Sequence, residues 1–291
     1  MTTTPTPPSP TRPAGAQARP DVARPGGWAV LVWAVATVVV SVAALVVVAQ
    51  EALNTRTGQE LDQSAMESVY AREDAVAQLL SVLGYISILT TGVALLVCVG
   101  LALLRHRYAA AAAAALVVAG ANVTTQVLKG QVLERPDYGN LAINSLPSGH
   151  TTVVASIVLA ALLVAPRSLR HLVVGLGTVA VTFTGASTIV AGWHRPSDVL
   201  AALAVSLAWG SAAVVALAVR RRAAFSRDLA SVTAVSLLGS LVAGVALVAL
   251  GVRPLGGWSG FADAAVVLGL VGLACSLTVA WFSRLASVHA A

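Results

Sequence analysis

The sequence predicts an all-α, polytopic membrane bundle of eight transmembrane helices, and two observations predict it. Of 291 residues, 57% are hydrophobic and only 10% charged, with a mean hydropathy of +0.85, which leaves too little polar sequence to cover a soluble core of this size. The apolar residues also fall in runs of about 20, the length that crosses a bilayer core about 30 Å thick.

Taken in order, the spans are expected at Trp28 to Ala49, Ala75 to Leu104, Tyr108 to Leu128, Pro147 to Ala165, Leu172 to Gly192, Asp198 to Val219, Leu229 to Gly251 and Phe261 to Phe282. Residues 1–27 are rich in Pro, Thr and Arg and lack an early apolar core of signal-peptide length. They read as a disordered tail ahead of an uncleaved first span. Between the first two spans, Gln50 to Asp74 carries Glu51, Glu60, Asp62, Glu67, Glu73 and Asp74 and reads as a solvated, partly helical loop. The third span opens on seven alanines, Ala109 to Ala115, whose small side chains let neighbouring helices approach closely in lipid. That span is expected to be buried in the bundle. The fourth must begin at about Pro147, because the fifteen residues after His150 are too few to cross and proline's fixed φ suits a first helical turn. Cys98 and Cys275 both lie inside predicted spans and read as small core residues, not as a disulfide or a metal framework.

The basic residues set an orientation, because short cytoplasmic loops retain Lys and Arg. Placing the N-terminus inside puts twelve of the eighteen basic residues on the cytoplasmic side with only Asp21 and Asp228, and leaves six basic and ten acidic residues outside. Both termini are then cytoplasmic in a multi-pass cell-membrane protein. The net charge of +6 is accounted for by topology, so it argues against a nucleic-acid partner.

Two polar connections fall on the outer side: Lys129 to His150, between spans three and four, and Trp193 to Asp198, between spans five and six. Lys129 is the only lysine in the chain; alone it could snorkel from a span end. Arg135 follows as a loop charge beside Glu134 and Asp137. Pro147-Ser148-Gly149-His150 opens helix four, and a helix N-terminus offers free N–H groups and a positive dipole end to an anion. Ser148 could equally be an N-cap, and Gly149 a turn glycine. His194 and Asp198 are one helical turn apart, so the carboxylate can hold one ring nitrogen and aim the other at a substrate, or both can cap helix six. Two histidines, an orienting acid, two cations and helix N–H donors are together the parts that phosphoryl transfer needs.

On these residues the chain resembles the phosphatidic acid phosphatase type 2 family of membrane lipid phosphatases. That family is marked by a lysine followed after six residues by Arg-Pro, then Pro-Ser-Gly-His, then Ser-Arg, five residues, His, three residues, Asp. Here the second motif is intact, and the third reads Ser187, Thr188, five residues, His194, three residues, Asp198. The resemblance covers spans one to six. It implies a phosphatase core over 28–219, with two additional C-terminal transmembrane helices over 220–291 that it does not explain. It further implies that His194 attacks phosphorus to give a phosphohistidine, Asp198 orients His194, and His150 protonates the leaving alkoxide and then activates water. Lys129, Arg135, Ser148 and Gly149 would bind the phosphate. No metal and no cofactor is implied.

The sequence departs from the family pattern twice. Only five residues separate Lys129 from Arg135, and Thr188 stands where the family has a phosphate-binding arginine. Arg195, next to the nucleophile, is the candidate replacement; its other reading is an interface charge that binds lipid headgroups. The expected function is hydrolysis of a lipid phosphate or diphosphate at the extracytoplasmic surface, with phosphatidate, phosphatidylglycerol phosphate and polyprenyl diphosphate equally open. The other readings are an impaired lipid-phosphate binder or transporter, favoured by Thr188, and a lipid phosphotransferase. Nothing in the sequence bears on oligomeric state.

Overall fold

The computed structural model describes residues 27–85, 88–139, 143–220, 229–254 and 260–286. The predicted tail over 1–27 lies outside the described residues except at Gly27, as do Arg221, Arg222 and Arg227 of the basic run after the sixth span. Among the described residues the chain is all-α: ten α-helices and no strand. They are α1 (Gly27–Asn54), α2 (Arg56–Ser68), α3 (Glu73–Leu83), α4 (Ile88–Leu104), α5 (Tyr108–Val127), α6 (Gly149–Val164), α7 (Arg170–Val190), α8 (Pro196–Arg220), α9 (Leu229–Ala249) and α10 (Phe261–Leu285). Six are long and apolar enough to cross a membrane, and α4 and α6 are shorter apolar helices.

Two expectations need correction. The predicted second span, Ala75 to Leu104, is not one helix; it is α3 and α4, parted after Gly84, the residue that ends α3. Thirty helical residues would measure about 45 Å, half as long again as the bilayer core, so the break fits the excess length. The acidic stretch between spans one and two is partly helical, as expected, but it is not simply solvated. It holds the last turn of α1, all of α2 and the start of α3, and α2 packs on α1, α8 and α10.

Helix α8 is the centre of the bundle. It packs along α1 and against α5, α6 and α10, while α7 lies on α6 and α9. The alanine run of α5 meets its neighbours as expected: Ala110, Ala111, Ala113 and Ala114 are buried. At the end of the bundle away from the two polar connections, arginines cap helix C-termini, where carbonyls lack partners and the dipole is negative. Arg107 donates to the carbonyls of Leu163 and Val164, and Arg170 to those of Ser283 and Ala286.

A ladder of hydroxyls fastens α9 and α10 to the rest. Thr178 and Thr182 of α7 lie 2.9 Å from Ser236 and Ser240 of α9, and those serines donate in turn to the carbonyls of Ser276 and Gly272 on α10, also at 2.9 Å. Each helix presents its pair four residues apart, so both rungs lie on one face. In lipid, where apolar burial drives no association between helices, such bonds and close packing must do so. Gly239 sits between the rungs, where a Cβ would lie 2.8 Å from the Gly175 carbonyl oxygen. Backbone cannot step aside as a side chain can. A Gly239→Ala variant is therefore expected to lose about 1–3 kcal/mol, read as a lower thermal midpoint of the purified protein in detergent.

Candidate active site

The turn between α7 and α8 builds the centre of the site. Helix α7 ends at Val190 with Ala191 as its C-cap, and Gly192 follows with a φ of +72°, the left-handed conformation that closes a helix and that a Cβ disfavours. The Thr188 carbonyl then accepts the N–H groups of both Trp193 (3.0 Å) and His194 (3.1 Å), which fixes where the histidine leaves the helix. Pro196 is the first residue of α8, where its missing N–H costs nothing. Asp198, two residues on, reaches back to accept the Arg195 N–H at 3.0 Å, the acidic half of a capping box.

The same carboxylate oxygen, Oδ2, lies 3.0 Å from His194 Nδ1 and accepts the Ser145 hydroxyl at 2.5 Å. Asp198 thus both caps α8 and holds the imidazole, so the two sequence readings of this pair coexist. With Nδ1 hydrogen-bonded to a carboxylate, Nε2 is the nitrogen left for chemistry. Asp198 is 1% exposed and His194 7%, so water competes weakly for this contact.

Helix α6 begins two residues later than predicted, at Gly149, because Ser148 is its N-cap. The Ser148 Oγ accepts from Thr151 N, and its own N–H donates to the Asp198 carbonyl at 2.9 Å. Ser148 is fully buried, and its hydroxyl is used in capping. Gly149 and His150 form the first turn, and the imidazole of His150 lies against the Trp193 ring, centroids 5.6 Å apart.

The π-turn Leu128–Val132 at the end of α5 contains Lys129, and the chain is extended from Leu133. Such a turn leaves backbone groups unpaired, and Asn144 meets two of them, donating to the carbonyls of Leu133 (2.7 Å) and Lys129 (3.3 Å). Lys129, Gly149, His150 and His194 line one cavity of about 780 Å³. It continues between α4, α5 and α6 along Leu95, Val118, Val123, Val127 and Val153, with Asn122 and Gln126 on its wall.

Arg135 and Arg195 are not among the residues that line that cavity and are 7% and 5% exposed. Arg135 Nη1 approaches the Ala52 carbonyl at 3.4 Å, while its Nε and Nη2 are buried with no hydrogen-bond partner among the described residues. Burial, and then the neighbouring Arg195, pull the Arg135 pKa downward. Two guanidiniums this close, one with unused donors, favour an anion. Thr188, in the position of the family arginine, is fully buried, and its hydroxyl donates to the Gly185 carbonyl at 2.8 Å. Its side chain is therefore committed to its own helix.

Sequence reasoning missed the contribution of α2. Gln59, Asp62, Gln63 and Met66 recur at helical spacing and form the face of α2 turned inward. Gln59 is fully buried and donates to the carbonyls of Leu53 and Pro136. Gln63 Oε1 accepts from Arg195 Nε at 3.0 Å. Asp62 accepts both the backbone N–H and the hydroxyl of Ser197, so a carboxylate from another helix serves the first turn of α8. Burial raises the Asp62 pKa to about 6, with the Ser197 hydrogen bonds opposing the shift. Ser145, joined to both Asp198 and Arg195, was likewise missed.

Fold and site together define a class: a multi-pass helical membrane protein with a two-histidine, one-aspartate polar centre at one end of its bundle. Residues 110–223, from α5 to just past α8, match the family model of the PAP2 superfamily. No curated protein and no solved structure matches the chain significantly.

Proposed function

We propose that the protein is an integral-membrane phosphatase that hydrolyses a lipid phosphate or diphosphate through a phosphohistidine. The observation that carries this reading is the shared cavity. His194, its Nδ1 held by Asp198, opens with Lys129, Gly149 and His150 onto a space whose other walls are the apolar faces of α4, α5 and α6. A phosphate at the polar end and an acyl or prenyl chain along the apolar part use both halves of such a cavity.

In this mechanism His194 Nε2 attacks phosphorus in line with the ester oxygen. The P–O bond breaks, the new N–P bond forms, and His150 gives its proton to the departing alkoxide. Asp198 stabilises the positive charge that appears on His194. His150, now neutral, takes a proton from water, the resulting hydroxide attacks the phosphohistidine, and phosphate leaves with His194 restored. Lys129, the N–H groups at Gly149 and the free donors of Arg135 and Arg195 neutralise the phosphoryl oxygens. Ser148 contributes by holding the helix end. Arg195 takes the place of the family arginine, because the Thr188 side chain faces its own backbone.

The arginine distribution supports a cytoplasmic N-terminus, and in that orientation the site faces the extracytoplasmic surface. The test is phosphate release by the purified protein from phosphatidate, phosphatidylglycerol phosphate and a polyprenyl diphosphate, set against a soluble aryl phosphate. The expected result is release from at least one lipid with kcat/KM at least about 10²-fold above the soluble ester, through binding of the chain in the apolar cavity. Equal rates on lipid and soluble esters would remove the lipid assignment, and no release from any would remove the phosphatase reading.

A further inference from the structure

Helix α2 touches the site through a chain of hydrogen bonds that none of the family motifs contains. Glu67 Oε1, exposed on α2, accepts from Gln63 Nε2 at 2.7 Å, which turns the amide so that its oxygen faces Arg195 Nε at 3.0 Å. Arg195 Nη1 donates to Ser145 Oγ at 3.2 Å, and Ser145 donates to the Asp198 oxygen beside His194 Nδ1. One turn earlier on α2, Asp62 holds the Ser197 N–H and hydroxyl. The link thus runs from an exposed carboxylate to the imidazole.

The geometry fits a specific need. An arginine side chain has many rotamers, and directing it costs about 1.5–2 kcal/mol of conformational entropy. An arginine on the adjacent helix, as in the family pattern, is directed by its own helix. Arg195 lies in a turn and has no such support. Gln63 and Ser145 each fix one of its nitrogens, and Nη2 remains without a hydrogen bond among the described residues. Asp62 at the same time holds the α8 turn that carries Arg195 and Asp198.

We propose that Gln63 and Asp62 of α2 are positioning residues for phosphoryl transfer: Gln63 aims the Arg195 guanidinium, and Asp62 fixes the first turn of α8. The claim rests on the phosphatase reading above and deepens it. It makes the segment between spans one and two part of the working site. The groups facing Asp62 are Ser197 and Asp198 of α8, together with Arg195 and Arg135. A carboxylate held there in its ionised form is costly to the fold and useful to the site.

The test is a double-mutant cycle on the full-length protein in detergent, read by kcat/KM on a lipid phosphate and by affinity for orthovanadate, a mimic of the phosphoryl transition state. Arg195→Ala is expected to weaken both about 100-fold and Gln63→Ala about 10-fold. The double variant should be no weaker than Arg195→Ala alone, because Gln63 acts only through that side chain. Gln63→Glu, which keeps an acceptor for Arg195 Nε, should restore most of the loss. Additive losses, or a neutral Gln63→Ala, would overturn the positioning role. For Asp62 the readouts have opposite signs. Its folded pKa of about 6 lies above the ordinary 3.8, so its contribution to stability is full below about 4 and is lost as pH rises through 6. Asp62→Asn should therefore raise the thermal midpoint at pH 7.5, leave it unchanged near pH 4, and still lower kcat/KM. Loss of both stability and activity at pH 7.5 would mark Asp62 as merely structural. If the wild type binds orthovanadate but releases no phosphate, the phosphatase reading fails and the orthovanadate cycle alone decides the positioning claim. If it does neither, both fall.

Discussion

Replacing His194 with alanine is expected to slow phosphate release from a lipid phosphate by at least about 10³-fold, with little change in KM. Among the described residues that line the cavity, the imidazole is the group that Asp198 orients, so water attacking directly would have to replace a positioned nucleophile. Folding should survive the change. Asp198 would keep two of its three donors, the Ser145 hydroxyl and the Arg195 N–H, so the buried carboxylate stays hydrogen-bonded. A thermal midpoint within a few degrees of wild type, measured beside the rate, separates loss of the nucleophile from loss of the fold.

Asp198→Asn is expected to lower kcat by about 10²–10⁴-fold. The amide oxygen can still accept the Arg195 N–H and cap α8. Its shape is nearly unchanged, and with the amide oxygen in the Oδ2 position it can also still accept from Nδ1–H, but it brings no negative charge to the imidazole. Loss of the charge removes what stabilises the phosphohistidine's positive ring. Activity near that of wild type would show that the carboxylate serves only to cap the helix.

The parts of the structure set by apolar length were legible. Hydropathy placed every span but the second to within about five residues, because crossing lipid requires a run of fixed length whatever the neighbours are. It did not show the break after Gly84, since the residues on both sides of it are apolar. The site was legible where the chemistry lies close in sequence: His194 and Asp198 are four residues apart, and Asp198 on the first turn of α8 reaches back to the residue just before the helix cap. What was not legible depends on distant segments meeting. The hydroxyls of Thr178, Ser236 and Ser276 look incidental until three helices bring them together. Asp62 and Gln63 were obscured by the acidic character of their segment, although the spacing of Gln59, Asp62, Gln63 and Met66 was a readable inward face. Arg195 stands out in the sequence, yet its direction is set by Gln63 and Ser145, 132 and 50 residues away along the chain. Thr188 has a plainer physical role than the motif suggests: its carbonyl, not its side chain, holds the turn that presents the nucleophile.

The central claim is that phosphate passes through His194. The most direct measurement is rapid quenching of the protein with a lipid phosphate labelled on phosphorus, followed by mapping of any label left on the chain. The account predicts one acid-labile, alkali-stable phosphoryl group on His194, appearing before free phosphate and absent from His194→Ala. Label on another residue, or steady turnover with no label on the chain at any time, would contradict it.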